Sequence, residues 1–410
     1  MIEQTKQIIS QDERTRKLKE ILSSLSSGES VLVTGLAGSV RALAFGSIAE
    51  ELSKQILLVV ADEEEAQKHR DDFNLTVGAQ CVRLFGGSKL HSSSDESAVS
   101  SVEDVETLRA LIDESASIVI THATALYSRI PNPTSLKQQV LKIETGREYD
   151  FKQLQAQLAE FSFEKQQFVQ SVGDYSVRGG ILDVFPFVGE NPVRIEFFGD
   201  TVESIREFDA LSQRSIKELA AASIVPDLLK SSHPSPFGRG DGGEGGVGQE
   251  EPHSTLLDFL RSNAIIVLDE PELLKKALDE SPSSEQQLRW EEMLELFAMF
   301  PQVHLSAIAR NAQKTIDFGS TSQPSINGSI KVLRSHLAEL QSKDFTIFIT
   351  CDTDSEQERL KDLLADLEPI AEEEEHEQHI PEHHLDVSRI EFSLESLHEG
   401  FILPDAKLAL

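Results

Sequence analysis

Cysteine is scarce: 410 residues hold two, Cys81 and Cys351, far apart and without metal-ligand spacing. That leaves no basis for a disulfide framework, and a reducing cytoplasm is the expected home. Both cysteines are expected to be buried strand residues. Positive charge is also short, with 38 Lys and Arg against 70 Asp and Glu and a formal net charge of −32. Such a surface repels phosphate backbones, and without a dense Lys/Arg stripe the chain is not expected to grip nucleic acid by itself. No apolar run approaches the roughly twenty residues that span a bilayer, so no membrane partner is expected. The start, Met1 to Lys6, lacks a signal-peptide pattern.

What is present is an apolar content of 39% with 26% charged residues, ordinary for a soluble globular chain. The length calls for two to four domains. Between Ser30 and Asp62 the pattern reads strand (Val31 to Thr34), turn (Gly35 to Ser39), a helix carrying Leu43, Ala44, Ile48 and Leu52, then a strand (Ile56 to Val60). A helix with Ala66 and Phe73, another over Ser101 to Asp113, and a strand at Ile118 to Thr121 continue the alternation. Short, apolar, β-branched strands between helices imply a parallel sheet.

From about Ser128 the pattern changes, with Pro131 and Pro133 marking a junction and a helix around Phe151, Leu154 and Leu158 leading into closely spaced strands. These fit a small α+β domain. Ser231 to Pro252 is Gly/Ser/Pro-rich without apolar periodicity and is expected to be a disordered insertion; its Arg239-Gly240-Asp241 is read as an accident of composition. Order returns at Leu256, with a strand from Ala264 that ends in Asp269 and Glu270. Helices at Lys331 to Ser342 and Ser355 to Leu367 then flank a strand at Thr346 to Cys351. The acidic stretch Glu372 to His384 holds His376, His379, His383 and His384, but not at the spacing of a zinc-protease helix; it is read as a solvated loop, and no metal is expected. The last residues, Lys407 to Leu410, read as the middle of a strand, so a truncated protein is expected.

The densest information lies between Gly173 and Ser215. Pro192 to Phe198 alternates, with Val193, Ile195 and Phe197 on one face and Arg194, Glu196 and Phe198 on the other. An aromatic beside an arginine on a solvated sheet face is the mixture favoured at the centres of protein interfaces. Gly179 and Gly180 let the chain bend after Arg178 and aim it at the same face. The bland alternative is an Arg194–Glu196 ion pair of little value, with Phe198 folded into the sheet edge.

This block, through Ser-Val-Arg178-Gly-Gly and Pro-Val-Arg194-Ile-Glu-Phe-Phe198, resembles the second domain of the UvrB family of bacterial nucleotide excision repair. It is more similar still to the UvrB-like N-terminal module of the transcription-repair coupling factor (Mfd) family. In both families that domain binds UvrA, and the resemblance implies the same here, through Arg178, Arg194 and Phe198, with Glu196 orienting Arg194 or meeting a basic residue of the partner. It also implies a degenerate helicase-like (RecA-like) α/β parallel-sheet domain with an inserted small α+β UvrB-type domain, plus a small C-terminal α/β domain. The divisions expected are 1–127, 128–214, 215–330 with the insertion at 231–252, and 331–410. RNA polymerase and DNA would be met only through domains missing from this chain.

Gly35 to Ala42 falls where a P-loop belongs, yet Val40 replaces the second glycine, Arg41 the lysine and Ala42 the hydroxyl. A branched side chain crowds the phosphate nest, arginine is not a compact charge, and alanine cannot hold Mg²⁺. Gly35, Gly38, Ser39 and Arg41 are thus read as a non-functional nucleotide loop, with Asp269 and Glu270 as a degenerate Walker B pair. No cofactor and no catalytic residue is expected. UvrB has an intact P-loop and a tyrosine-rich DNA-clamping hairpin, whereas Leu90 to Val105 has neither aromatics nor basic excess. Both departures favour a non-catalytic adaptor that brings UvrA to stalled RNA polymerase. The competing readings are a UvrB-type ATP-dependent helicase subunit and a scaffold without affinity for UvrA.

Overall fold

The computed structural model describes residues 1–87, 102–127, 130, 132–138, 140–189, 191–225, 254–281, 290–307, 313–365 and 384–410. The insertion expected at 231–252, most of the interval from Leu90, and His376, His379 and His383 lie outside them. Contacts divide the chain into two units, one of Met1–Arg83, Ala116–Ala123 and Ser262–Leu410, the other of Leu84–Ser115 and Thr124–Arg261.

The α/β expectation holds. A seven-stranded sheet runs in the order Thr315–Asp317, Ser30–Thr34, Gln302–Ser306, Ile265–Asp269, Ile56–Val60, Ile118–His122, Val82–Phe85. Its described pairings are parallel. The strands Ile56–Val60, Ile118–His122 and Ile265–Asp269 are buried along their whole length, the mark of strands covered on both faces. The helix Val40–Leu52 is buried almost all round. It packs against Glu63–Val77 and against two helices not anticipated from the sequence, Ile2–Gln11 and Glu13–Ser24, and so shows no single apolar stripe. Asp62 caps Glu63–Val77 by accepting the Glu65 N–H at 3.0 Å, and Asp12 caps Glu13–Ser24 in the same manner.

The same unit holds a five-stranded mixed sheet in the order Thr321–Ser322, Phe401–Leu403, Leu408–Ala409, Thr346–Thr350, Ile390–Ser393. Leu337, Leu340, Ile347, Leu364 and Ile390 form its core. The cysteines depart from expectation: Cys81 precedes a strand and is half-buried, while Cys351 is buried just past one.

The second unit carries a six-stranded sheet in the order Ser215–Leu219, Thr201–Phe208, Val193–Phe198, Ile181–Val184, Asp174–Arg178, Glu164–Lys165. It is antiparallel except for its last pair. The boundary expected at 214 falls inside it, because Ser215–Leu219 adds as the edge strand. The helix Phe151–Glu160, capped by Asp150, sets the Phe151 ring 4.8 Å from that of Phe197.

Candidate functional site

Val193–Phe198 alternates as its sequence requires: Val193, Ile195 and Phe197 are buried, whereas Arg194, Glu196 and Phe198 face outward. Phe198 is 77% exposed rather than folded into the edge. Arg178 reaches the same cluster because Gly179 and Gly180 form a two-residue turn that pairs Arg178 with Ile181. Gly179 has φ +62° and Gly180 lies so close to Phe197 O that a Cβ would fall 2.7 Å from it. Only glycine fits both demands.

The centre of this face is a residue absent from the expected set. Asp183 stands directly opposite Arg194 in the register and is 1% exposed. Its Oδ1 accepts Arg194 Nε at 2.7 Å, and its Oδ2 accepts Arg194 Nη2 at 2.9 Å and Arg178 Nη2 at 2.5 Å. A buried carboxylate thus holds a two-pronged bond to one arginine and a single bond to another. The Asp183 bond holds the Arg194 guanidinium above its ordinary pKa, outweighing the opposing effect of burial. Arg194 also lies over the Phe208 ring at 4.5 Å, and Arg178 over the half-exposed Phe168 ring at 5.3 Å, both within cation–π range.

Within the chain the Glu196 carboxylate bonds Arg206 and accepts Ser204 Oγ at 2.9 Å, and it acts on Arg194 through its charge. Residues two apart along a strand are farther from each other than cross-strand neighbours, and Ser204 is Glu196's register partner while Arg206 lies diagonally. Three arginines set against two carboxylates leave this cluster one positive charge in a chain of net charge −32. The side-chain exposures separate the roles: Arg178 is 39% exposed and Arg194 17%.

The second expected site, the loop from Gly35, does follow a strand and open a helix. Arg41 donates from Nη1 to Asp269 Oδ2 at 2.5 Å and from Nε to Leu36 O at 3.0 Å. Two of the loop's N–H groups, which in a working P-loop point at phosphate, are given to this chain's own oxygens. Ala37 N donates to Ser320 Oγ at 2.7 Å and Ser39 N to Glu399 O at 3.2 Å. Ser39 Oγ donates to the buried Asp72 at 2.5 Å, and Asp72 also accepts His398 N at 2.9 Å. Gly38 has φ +56°, and a Cβ there would fall 2.8 Å from Gly400 O. The segment His398 to Gly400 therefore lies against the loop. Glu270 accepts Ala307 N at 2.5 Å and Ser306 Oγ at 3.3 Å, so it ties the next strand's end. Both acids of the expected Walker B pair thus have partners within the chain, Asp269 in Arg41 and Glu270 in Ser306 and Ala307.

The family described as the UvrB interaction domain matches residues 141–228, the span of the six-stranded sheet and its helix. The transcription-repair-coupling factor of Bacillus subtilis (strain 168) is 34% identical over 213 residues, covering 51% of this chain and 18% of that protein. That of Myxococcus xanthus is 29% identical over 223 residues, covering 52% and 18%. That of Staphylococcus epidermidis (strain ATCC 12228 / FDA PCI 1200) is 24% identical over 467 residues, covering 98% of this chain and 39% of that protein. The chain thus spans under two fifths of the length of these relatives. It is homologous to the N-terminal region of the transcription-repair-coupling factors and carries their UvrB interaction domain.

Proposed function

We propose that this chain is a non-catalytic adaptor module that binds UvrA through the outer face of the six-stranded sheet and so brings it to RNA polymerase stalled at DNA damage. One observation carries the reading: Phe198, 77% exposed, stands on the same sheet face as the arginines that Asp183 braces, inside the matched domain. An exposed ring backed by fixed cations loses little conformational freedom on binding, which is what an interface centre needs. RNA polymerase and DNA are, on this reading, the business of parts of the relatives that this chain does not span, and the cytoplasm is where it acts.

The self-bonded loop supports the non-catalytic half of the reading. Arg41 is engaged by Asp269, and the Ala37 and Ser39 amides by Ser320 and Glu399, so a triphosphate would have to displace bonds already made. Titrating the chain into purified UvrA by calorimetry tests the adaptor reading, with saturable binding expected. Absence of any heat and of co-elution on gel filtration would leave only a scaffold. A saturable response to Mg-ATP would instead favour the UvrB-type helicase subunit.

A further inference from the structure

Among the described residues Leu211 is the most exposed large apolar side chain, at 94%. Single exposed leucines are common and call for no explanation on a loose loop. The turn that carries Leu211 is not loose. Asp209 N donates to Arg214 O at 2.9 Å, Gln213 N to Asp209 O at 2.8 Å, and Gln213 Nε2 to Ala210 O at 2.8 Å. Ser212 N donates to the Asp209 carboxylate at 2.7 Å. Bonds from the Ser212 hydroxyl and then its N–H hold that carboxyl below its usual range. Gln213 takes φ +58°, the left-handed conformation that closes the turn.

The turn is also fastened to the docking face. Gln213 Oε1 accepts Arg194 Nη2 at 3.2 Å, and Arg194 is gripped by Asp183 through both of its oxygens. A continuous run of hydrogen bonds therefore leads from the buried Asp183 through Arg194 and Gln213 into the turn beneath Leu211. Arg194 is mostly covered, and its Nε and Nη2 are engaged by Asp183 and Gln213, so it is better suited to brace a neighbour than to meet a partner.

The geometry points to Leu211 as a further anchor for UvrA, presented by a turn that Asp183, Arg194 and Gln213 hold in place; this rests on the UvrA reading of the face. Arg194 and Phe198 lie four residues apart on one strand, about 13 Å at the usual rise, with Phe198 at one end and the turn beyond the other. An interface of standard size, about 800 Å² on each partner, reaches both ends. The surface UvrA must offer is an apolar recess for Leu211, separate from the one that takes Phe198. A braced turn also spares UvrA the cost of ordering a loop.

The test is calorimetry of UvrA with the full chain and its Leu211→Ser, Leu211→Met, Gln213→Ala and Leu211→Ser/Gln213→Ala variants, with Phe198→Ala alongside. Leu211→Ser is expected to weaken binding about tenfold with an unchanged Tm, and Leu211→Met to retain most of the affinity. Gln213→Ala is expected to weaken binding in the parent and to add little once Leu211 is serine, because its effect passes through that side chain. If Leu211→Ser binds as the parent does while Phe198→Ala is impaired, the anchor is refuted and the face stands. If both bind as the parent does, the UvrA reading of the face fails with it. Fully additive effects at Leu211 and Gln213 would overturn the bracing.

Discussion

Arg41 Nη1 lies 2.5 Å from Asp269 Oδ2. The residue standing where a P-loop lysine belongs is therefore paired with the acid that ends a central strand, and His69 Nε2 lies 3.6 Å from the same oxygen. Removing the arginine leaves a nearly buried carboxylate without its cation. Arg41→Ala is expected to cost about 2–3 kcal/mol, discounted from the fully buried case because Arg41 is partly exposed. Arg41→Met combined with Asp269→Leu should recover most of that loss, since it leaves no uncompensated charge. Urea unfolding of the two variants decides it; an Arg41→Ala midpoint equal to the parent's would show that the pair carries no stability.

Rebuilding the loop is not expected to rebuild the site. Val40→Gly/Arg41→Lys/Ala42→Thr supplies the missing glycine, lysine and hydroxyl, yet Glu399 O still accepts Ser39 N and Gly400 O still crowds Gly38. Calorimetry with Mg-ATP should stay flat for the parent and for this variant, with circular dichroism confirming the fold. Saturable binding by the rebuilt loop would show that the His398 to Gly400 segment yields readily.

Adjacent phenylalanines should behave oppositely. Phe197 is buried against Phe151, so Phe197→Ala is expected to lose roughly 3–5 kcal/mol. Phe198→Ala removes an exposed ring and should stay within about 0.5 kcal/mol of the parent. Thermal unfolding of the two variants tells them apart; equal losses would mean that the strand's two faces are misassigned.

Burial pushes the His304 imidazole below its ordinary 6.5, and burial acts in the same direction on His336. The unfolded chain then takes up these protons at a higher pH than the folded chain does. The stability linked to them is complete above about pH 6.5 and is lost as pH falls through the folded-state values. His304→Gln should lose less Tm than the parent between about pH 7.5 and 5. An identical decline in both proteins would remove His304 from the account.

Much of this was legible in the residues. The period-two pattern of Val193–Phe198 placed each side chain on its face, since alternation follows from strand geometry alone. The same pattern is silent about neighbours across the sheet. Asp183 sits on the outward face of its own strand, but only the register sets it opposite Arg194 and brings Arg206 and Ser204 to Glu196. The closure of the loop was equally hidden, because Glu399 N reaches Ser39 Oγ across 360 residues of chain and no local preference signals such a contact. The helix Ile2–Gln11 has no side-chain cap at its start to signal it. The Gly-Gly turn after Arg178 was readable because its backbone demands glycine.

The register also changes which substitution probes the docking face. Arg194→Glu would set a second carboxylate against the buried Asp183 and disturb the fold, so it cannot report on contact alone. Arg178→Ala/Phe198→Ala leaves Asp183 its two bonds from Arg194 and removes the two exposed groups. Titration of this folded double variant into UvrA is the most direct measurement. Affinity is expected to fall at least roughly thirtyfold, the equivalent of about 2 kcal/mol, with the thermal midpoint close to the parent's. A double variant that unfolds at the parent's temperature and binds UvrA with the parent's affinity would contradict the assignment of this face.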